Sequence, residues 1–221
     1  MSTPTTVVLV HGAWHRASCW DGVVSELERL GVRATAVELP LSGLAADVAA
    51  ARSAITAAGP GSIVVAHSYG GVVVSNAAVG LPVARLVYLA AFLTETGEDT
   101  TELVTGSALA DALVIDETGI SIDPTAAAEV FYGDADPDTA AALVASLRPM
   151  AMDVPVVLEP EPAWRSIPST YVICANDRAL PVAAQRRMAA RADDVVEWPT
   201  DHSPFVTRPA AVAELVARYV G

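Results

Sequence analysis

Apolar and polar positions along this chain follow two alternating rhythms. Residues 6–10 form an almost continuous apolar run, the pattern of a strand covered on both faces. Similar short runs recur at residues 34–39, 62–66, 85–92, 170–175 and 195–198. Between them lie longer stretches with helical spacing at residues 23–30, 44–58, 70–78 and 182–191, and a last one closes the chain at 210–219. Asp47 near the start of the second stretch and Gly59 after its end are helix punctuation. Strands and helices in regular turn predict parallel β-α-β units. The expectation is an α/β chain with about six mostly parallel strands and helices on both faces.

Between Phe92 and Trp164 the rhythm breaks. Prolines and acids become common, and helical patches at 101–114, 125–131 and 138–147 are separated by Gly, Asp or Pro. An interruption of this length inside a regular alternation predicts an insertion over one edge of the sheet. The expected organisation is a core of residues 1–93 and 166–221 with a helical cap, or lid, at 94–165. No internal repeat or low-complexity tract is present.

Charge changes the picture more than composition does. The 221 residues carry a formal net charge of −13, which argues against nucleic acid and anionic membrane surfaces as partners. Residues 94–165 hold 15 acids against two arginines, while the rest of the chain holds 11 of each. A same-sign rim of that kind would disfavour anionic substrates. Every basic side chain other than histidine is Arg; lysine is absent. No apolar run approaches the roughly 18 residues of a transmembrane helix. Residues 1–6 carry no basic residue and the apolar stretch 7–10 is short, so a cytoplasmic protein is expected. Cys19 and Cys174 read as small apolar residues of the interior, not as a disulfide framework.

The sharpest chemical signal is Ala66-His67-Ser68-Tyr69-Gly70-Gly71, directly after one strand run and directly before a helix. This small-x-Ser-x-Gly pattern is a nucleophile elbow. A strand that turns into a helix within one residue forces the central Ser into a strained backbone conformation and points its Oγ out of the sheet. Positions two away on either side must be small, and Ala66 and Gly70 are. The turn also sets the Tyr69 N–H at a helix N-terminus, where it can stabilise an oxyanion. His11-Gly12 ends the first strand, and Gly12 lets the chain bend so that the Ala13 N–H faces the same point. Trp14 and His15, with Gly12, are expected beside a substrate pocket, and His11 is expected to hold this loop by hydrogen bonds.

A Ser hydroxyl needs a general base at neutral pH, and only four histidines are available. His67 adjoins the Ser on a strand, so its ring should point to the opposite face. His202, in Asp201-His202-Ser203-Pro204-Phe205 after the last strand, lies where parallel topology brings residues to the carboxyl edge. Asp177, after the strand at 170–175, completes the order Ser, Asp, His and would hold the imidazole. Asp201 is too close in sequence to reach the Nδ1 of His202 easily, and Asp193 and Asp194 precede a strand at the wrong end.

These segments, with Pro181 and Gln185 beyond Asp177, resemble the α/β-hydrolase superfamily and its branch of plant methylesterases and hydroxynitrile lyases. The likeness spans residues 6–92 and 169–220. It implies a six-stranded parallel sheet, a cap over Ser68, and oxyanion hydrogen bonds from Ala13 and Tyr69. Lyases of that branch use a lysine close to the histidine and a Thr where this chain has Gly12, so the absence of lysine points to the esterase chemistry. The expected function is hydrolysis of small to medium carboxylic esters through an acyl-enzyme on Ser68, with no metal or cofactor. A ligand-sensing receptor with a hydrolase pocket, and a thioesterase or lactonase with the same triad, stay open at this stage.

Overall fold

The computed structural model describes residues 5–152, 156–158 and 161–220. The chain starts with β1 (Thr6–Val10), a 3-10 turn at Ala17–Trp20 and α1 (Asp21–Arg29), followed by β2 (Arg33–Val37) and α2 (Leu44–Ala58). Then come β3 (Ile63–His67), α3 (Gly70–Ala77) and β4 (Arg85–Leu89). The intervening segment holds α4 (Thr100–Val104), α5 (Ala108–Asp111), β5 (Leu113–Asp116), β6 (Gly119–Ile122), α6 (Pro124–Phe131) and α7 (Pro137–Ser146). The chain returns through β7 (Ser169–Cys174), α8 (Val182–Ala189), β8 (Asp194–Trp198), α9 (Pro204–Thr207) and α10 (Pro209–Ala217).

Six strands form one sheet in the order β2-β1-β3-β4-β7-β8, and every pairing in it is parallel. The continuous apolar runs follow from this arrangement. Along β1, Val8 and Val10 enter one core while Val7 and Leu9 enter the other. The first core packs against α2, α3 and α8 through Ile55, Val72 and Met188. The second packs against α1 and α10 through Leu27 and Val216, with Trp20 and Phe205 beside them. Fully burying a side chain of this size contributes about 2 kcal/mol, which is why the central strands tolerate no polar alternation. The order reverses at β1, which has β2 on one side and β3 on the other. Loops leaving β1 and β3 therefore open a crevice at the carboxyl edge, the usual ligand position in such sheets.

Two local expectations need correction. The fourth strand ends at Leu89 rather than running to Phe92, because Ala90 adopts φ +43° and turns the chain out of the sheet. The patch at 101–114 is not one helix: it breaks into α4 and α5 around Gly106, at φ +74°. It then enters an antiparallel hairpin of β5 and β6, so the intervening segment is helical and stranded rather than helical alone. Asp116 accepts the Thr118 N–H at 2.7 Å in the hairpin turn. Among the described residues no helix is long and apolar enough to cross a membrane.

The intervening segment is stitched to the core at the carboxyl edge. Arg148 is the principal tie. Its backbone N–H donates to Trp14 O at 2.9 Å, its guanidinium donates to the carbonyls of His15, Pro40 and Leu39, and it pairs with Glu38 at 2.6 Å. A second tie is reciprocal: the Asp134 N–H donates to the Asp201 carboxylate at 2.9 Å, and the Asp201 N–H donates to the Asp134 carboxylate at 2.8 Å.

Candidate active site

Ser68 sits between the end of β3 and the start of α3 with φ +51°, a left-handed conformation that costs a non-glycine residue about 1–3 kcal/mol. Its surroundings hold it there. The Ser68 carbonyl accepts from the N–H groups of Gly71 at 2.9 Å and Phe92 at 3.1 Å. The turn is too crowded for side chains nearby: a Cβ on Gly71 would lie 2.3 Å from Phe92 O, and one on Gly12 would lie 2.9 Å from the Ser68 Cβ. The glycines of both motifs are therefore packing requirements of the elbow.

Asp177 and His202 come together in a buried pair. Asp177 Oδ2 accepts from His202 Nδ1 at 2.7 Å. Its other oxygen accepts the Ala179 and Leu180 N–H groups at 2.7 and 2.9 Å, and Gln185 Nε2 donates to Oδ2 at 2.7 Å. Four donors thus fix the carboxylate, and a carboxylate on Nδ1 leaves Nε2 of the neutral ring as an acceptor. His202 Nε2 is buried and has no hydrogen-bond partner among the described residues. The rival carboxylates lie elsewhere. Asp201 accepts from the backbone of Ser203 and Asp134, and burial raises its pKa. Asp193 caps the Ser169 N–H, and Asp194 pairs with Arg85, both at the opposite end of the sheet.

His67 is not remote from this group, although sequence alternation turned it away. Its ring packs on His202 with centroids 4.5 Å apart, and its Nε2–H donates to the His202 carbonyl at 3.0 Å. Burial holds it far below the usual histidine pKa, so it is a neutral support under His202. His11 donates from Nδ1 to Gly12 O at 2.8 Å and accepts the Leu39 N–H at 3.0 Å, so it ties the loop after β1; burial lowers its pKa to about 4. His15 donates from Nδ1 to Ala13 O at 2.7 Å and accepts from the Tyr132 hydroxyl at 2.9 Å. Burial lowers its pKa to about 3.

Ala13, Trp14, Ser68 and Tyr69 line a cavity of about 110 Å³. Phe92 and residues of the intervening segment, among them Leu109, Leu113 and Met150, close its other sides. Polar surface is scarce there. Gly12 and His15, expected beside the pocket, do not line it: Gly12 is pressed against the His67 ring and Ser68, and both His15 nitrogens are engaged behind the loop.

Three residues of the site carried no role in the sequence reading. Gln185 orients Asp177; the resemblance named it beyond Asp177 without giving it this task. Asp47 is fully buried; its carboxylate accepts the Tyr69 hydroxyl at 2.6 Å and the Leu41 N–H at 2.7 Å, so its place as a helix-start acid masked a second use. Tyr132 follows directly on α6 as its C-cap, too far along the chain for spacing to connect it with His15.

The sequence matches the alpha/beta hydrolase family over residues 7–215. The chain belongs to that family. Its parallel sheet with helices on both faces is the family's fold. It is 30% identical to the alpha/beta hydrolase nvfD of Aspergillus novofumigatus, a match covering 97% of this chain and 96% of that one. It is also 30% identical to the pyrethroid hydrolase of Sphingobium wenxiniae, over 98% of this chain and 88% of that protein. The crystal structure of the Arabidopsis methylesterase MES16 superposes with a TM-score of 0.78 at 23% identity, covering 97% of this hydrolase and 98% of the methylesterase; at that identity the likeness is one of fold.

Proposed function

We propose that this hydrolase cleaves neutral carboxylic esters through an acyl-enzyme on Ser68, with His202 as general base and Asp177 as its orienting carboxylate. One observation carries the reading. His202 Nε2 is a buried acceptor with no partner among the described residues, on a ring locked by Asp177 at 2.7 Å, and that ring rests on the residue preceding the strained Ser68. A buried ring nitrogen left unsatisfied costs about 1–3 kcal/mol; His67 Nδ1 shares that state, but only His202 has its other ring nitrogen on a carboxylate, the arrangement a general base requires.

In the reaction, Ser68 Oγ gives its proton to His202 Nε2 as it attacks the ester carbonyl, and Asp177 stabilises the imidazolium. The N–H groups of Ala13 and Tyr69 receive the developing oxyanion, each worth about 3 kcal/mol in the transition state. His202 returns the proton to the leaving alcohol, then activates water to release the acid. No step calls on a metal or cofactor. Residues 94–165 act as the cap, whose apolar side chains wall the acyl pocket. A neutral substrate suits both that lining and the acidic composition of the cap. The similar pyrethroid hydrolase is named for hydrolysis, which agrees with this chemistry.

Replacing Ser68 with Ala is expected to abolish p-nitrophenol release from short acyl esters and labelling by a fluorophosphonate probe. Release that persists in the folded variant refutes the assignment. Labelling of the parent protein without turnover would point to a receptor instead.

A further inference from the structure

We infer that Trp14 is the wall that limits the length of the apolar ester arm at Ser68, and that a second chamber behind it is a distal subsite cut off by that wall. The inference rests on the esterase reading above and goes beyond it to the substrate's size.

Two cavities share Trp14. One is the cavity of about 110 Å³ that contains Ser68, and the other is a groove of about 250 Å³. The first is less than half the size of the second. Trp14 and a strip of the intervening segment stand between them. Neighbours in sequence fall on opposite sides: Leu113, Ile120 and Met150 line the Ser68 cavity, while Val114, Ser121 and Pro149 line the groove. These residues form a small sheet, since β5 pairs with β6 and Ile120 exchanges both backbone hydrogen bonds with Met150 at 2.8 and 2.9 Å. Side chains that alternate across a strand separate Leu113 and Ile120 from Val114 and Ser121; at the strand's end the alternation lapses, and Ile122 lines the groove although its cross-strand partner Leu113 lines the Ser68 cavity.

Trp14 closes the barrier at its core end. Its indole N–H donates to Ile120 O at 2.9 Å, its ring packs on Phe131 with centroids 6.0 Å apart, and its backbone is held at φ +62°. The Arg148 N–H donates to its carbonyl. The groove beyond is mainly apolar, with Ile122, Val144 and Leu147 on its surface. Its one cation, Arg148, is already committed to Glu38 and three carbonyls. The ligand class is therefore an uncharged aliphatic or aromatic chain longer than the first cavity can hold.

The deciding measurement is chain-length preference, read by calorimetry in Ser68→Ala protein so that it does not depend on turnover. Methyl n-alkyl ketones, butyl against octyl, serve as probes. Each further buried methylene is worth about fourfold in affinity, so Trp14→Ala should raise the octyl-to-butyl affinity ratio by about tenfold or more. Trp14→Leu, which keeps an apolar contact with Phe131, is the second route to the same opening should the first variant fold poorly. Adding Leu147→Trp to either should fill the groove and restore the original ratio. A rise short of about tenfold in both variants, or a gain that survives Leu147→Trp, overturns the assignment. With Ser68 restored, the same shift should appear in kcat/KM for homologous acyl or alkyl esters. Failure of any ester to turn over while the ketone shift persists would sink the esterase reading and leave the wall intact.

Discussion

Asp47 shows how a residue distant from the chemistry can set its geometry. The carboxylate is fully buried on α2 and accepts from the Tyr69 hydroxyl at 2.6 Å and the Leu41 N–H at 2.7 Å. Leu41 is at φ +56°, and Tyr69 carries one of the two proposed oxyanion N–H groups. One carboxylate therefore braces two strained loops. Removing a donor from a buried charged acceptor costs about 1–3 kcal/mol. Tyr69→Phe is thus expected to lower the urea unfolding free energy by about 2 kcal/mol and, by loosening the elbow, to reduce kcat more than it alters KM. Unchanged stability would mean that the hydroxyl bond contributes nothing net. The proposed triad residues were legible at this scale because each sits in a motif whose neighbours are fixed by crowding or by chain order. Asp47 was not, since its Tyr69 partner is brought to it by tertiary packing, and the task of Gln185 was not, since it depends on the fold of the loop between Asp177 and its helix.

At the scale of elements, the strands and helices of the core were legible because burial on two faces leaves a continuous apolar run and burial on one leaves a helical stripe. α2 falls on the bounds its pattern predicts, Leu44–Ala58. The proposed cap was less legible for a physical reason. Its hairpin strands are four residues each, too short to separate period 2 from period 3.6, and their stability comes from Met150 and Trp14, contacts absent from local sequence. Arg148 is the element-scale counterpart of Asp47, since it fastens the cap to the loops after β1 and β2. Its guanidinium makes charge-assisted bonds, each worth about 1.5–3 kcal/mol when partly shielded. Arg148→Ala is expected to lower the opening free energy of the cap by about 3 kcal/mol while the core sheet keeps its protection. Hydrogen exchange resolved by segment tests this: amides of residues 113–122 should exchange faster and those of β3 and β4 should not. Equal acceleration everywhere would make Arg148 a global rather than a cap determinant.

For the whole molecule, two opposing effects act as pH falls below neutrality, and their magnitudes decide the outcome. Protonating carboxylates relieves the self-repulsion of a chain with net charge −13 and a pI near 4.5, which alone would favour the compact state. Against this stand the buried neutral histidines, His11 with a pKa of about 4, His15 of about 3, and His67 well below its ordinary value. Burial is the leading cause in each. All three regain a pKa near 6.5 when unfolded, so below that pH the unfolded chain binds protons the folded one refuses, and stability falls with pH. Each histidine costs about 1.4 kcal/mol per pH unit in that window, so the three together cost about 4. A domain of this size has about 5–15 kcal/mol in total, and screened surface repulsion changes far more slowly. Asp201, whose pKa burial raises, opposes the loss by less than one proton and only near the carboxylate range. The histidines win. Urea unfolding followed from pH 7.5 to 4.5 should show stability roughly level above about pH 6.5 and then falling steeply, with about three protons taken up on unfolding near pH 5. A stability that holds level or rises down to pH 5 would show that charge relief dominates and that these rings accept protons in the folded state.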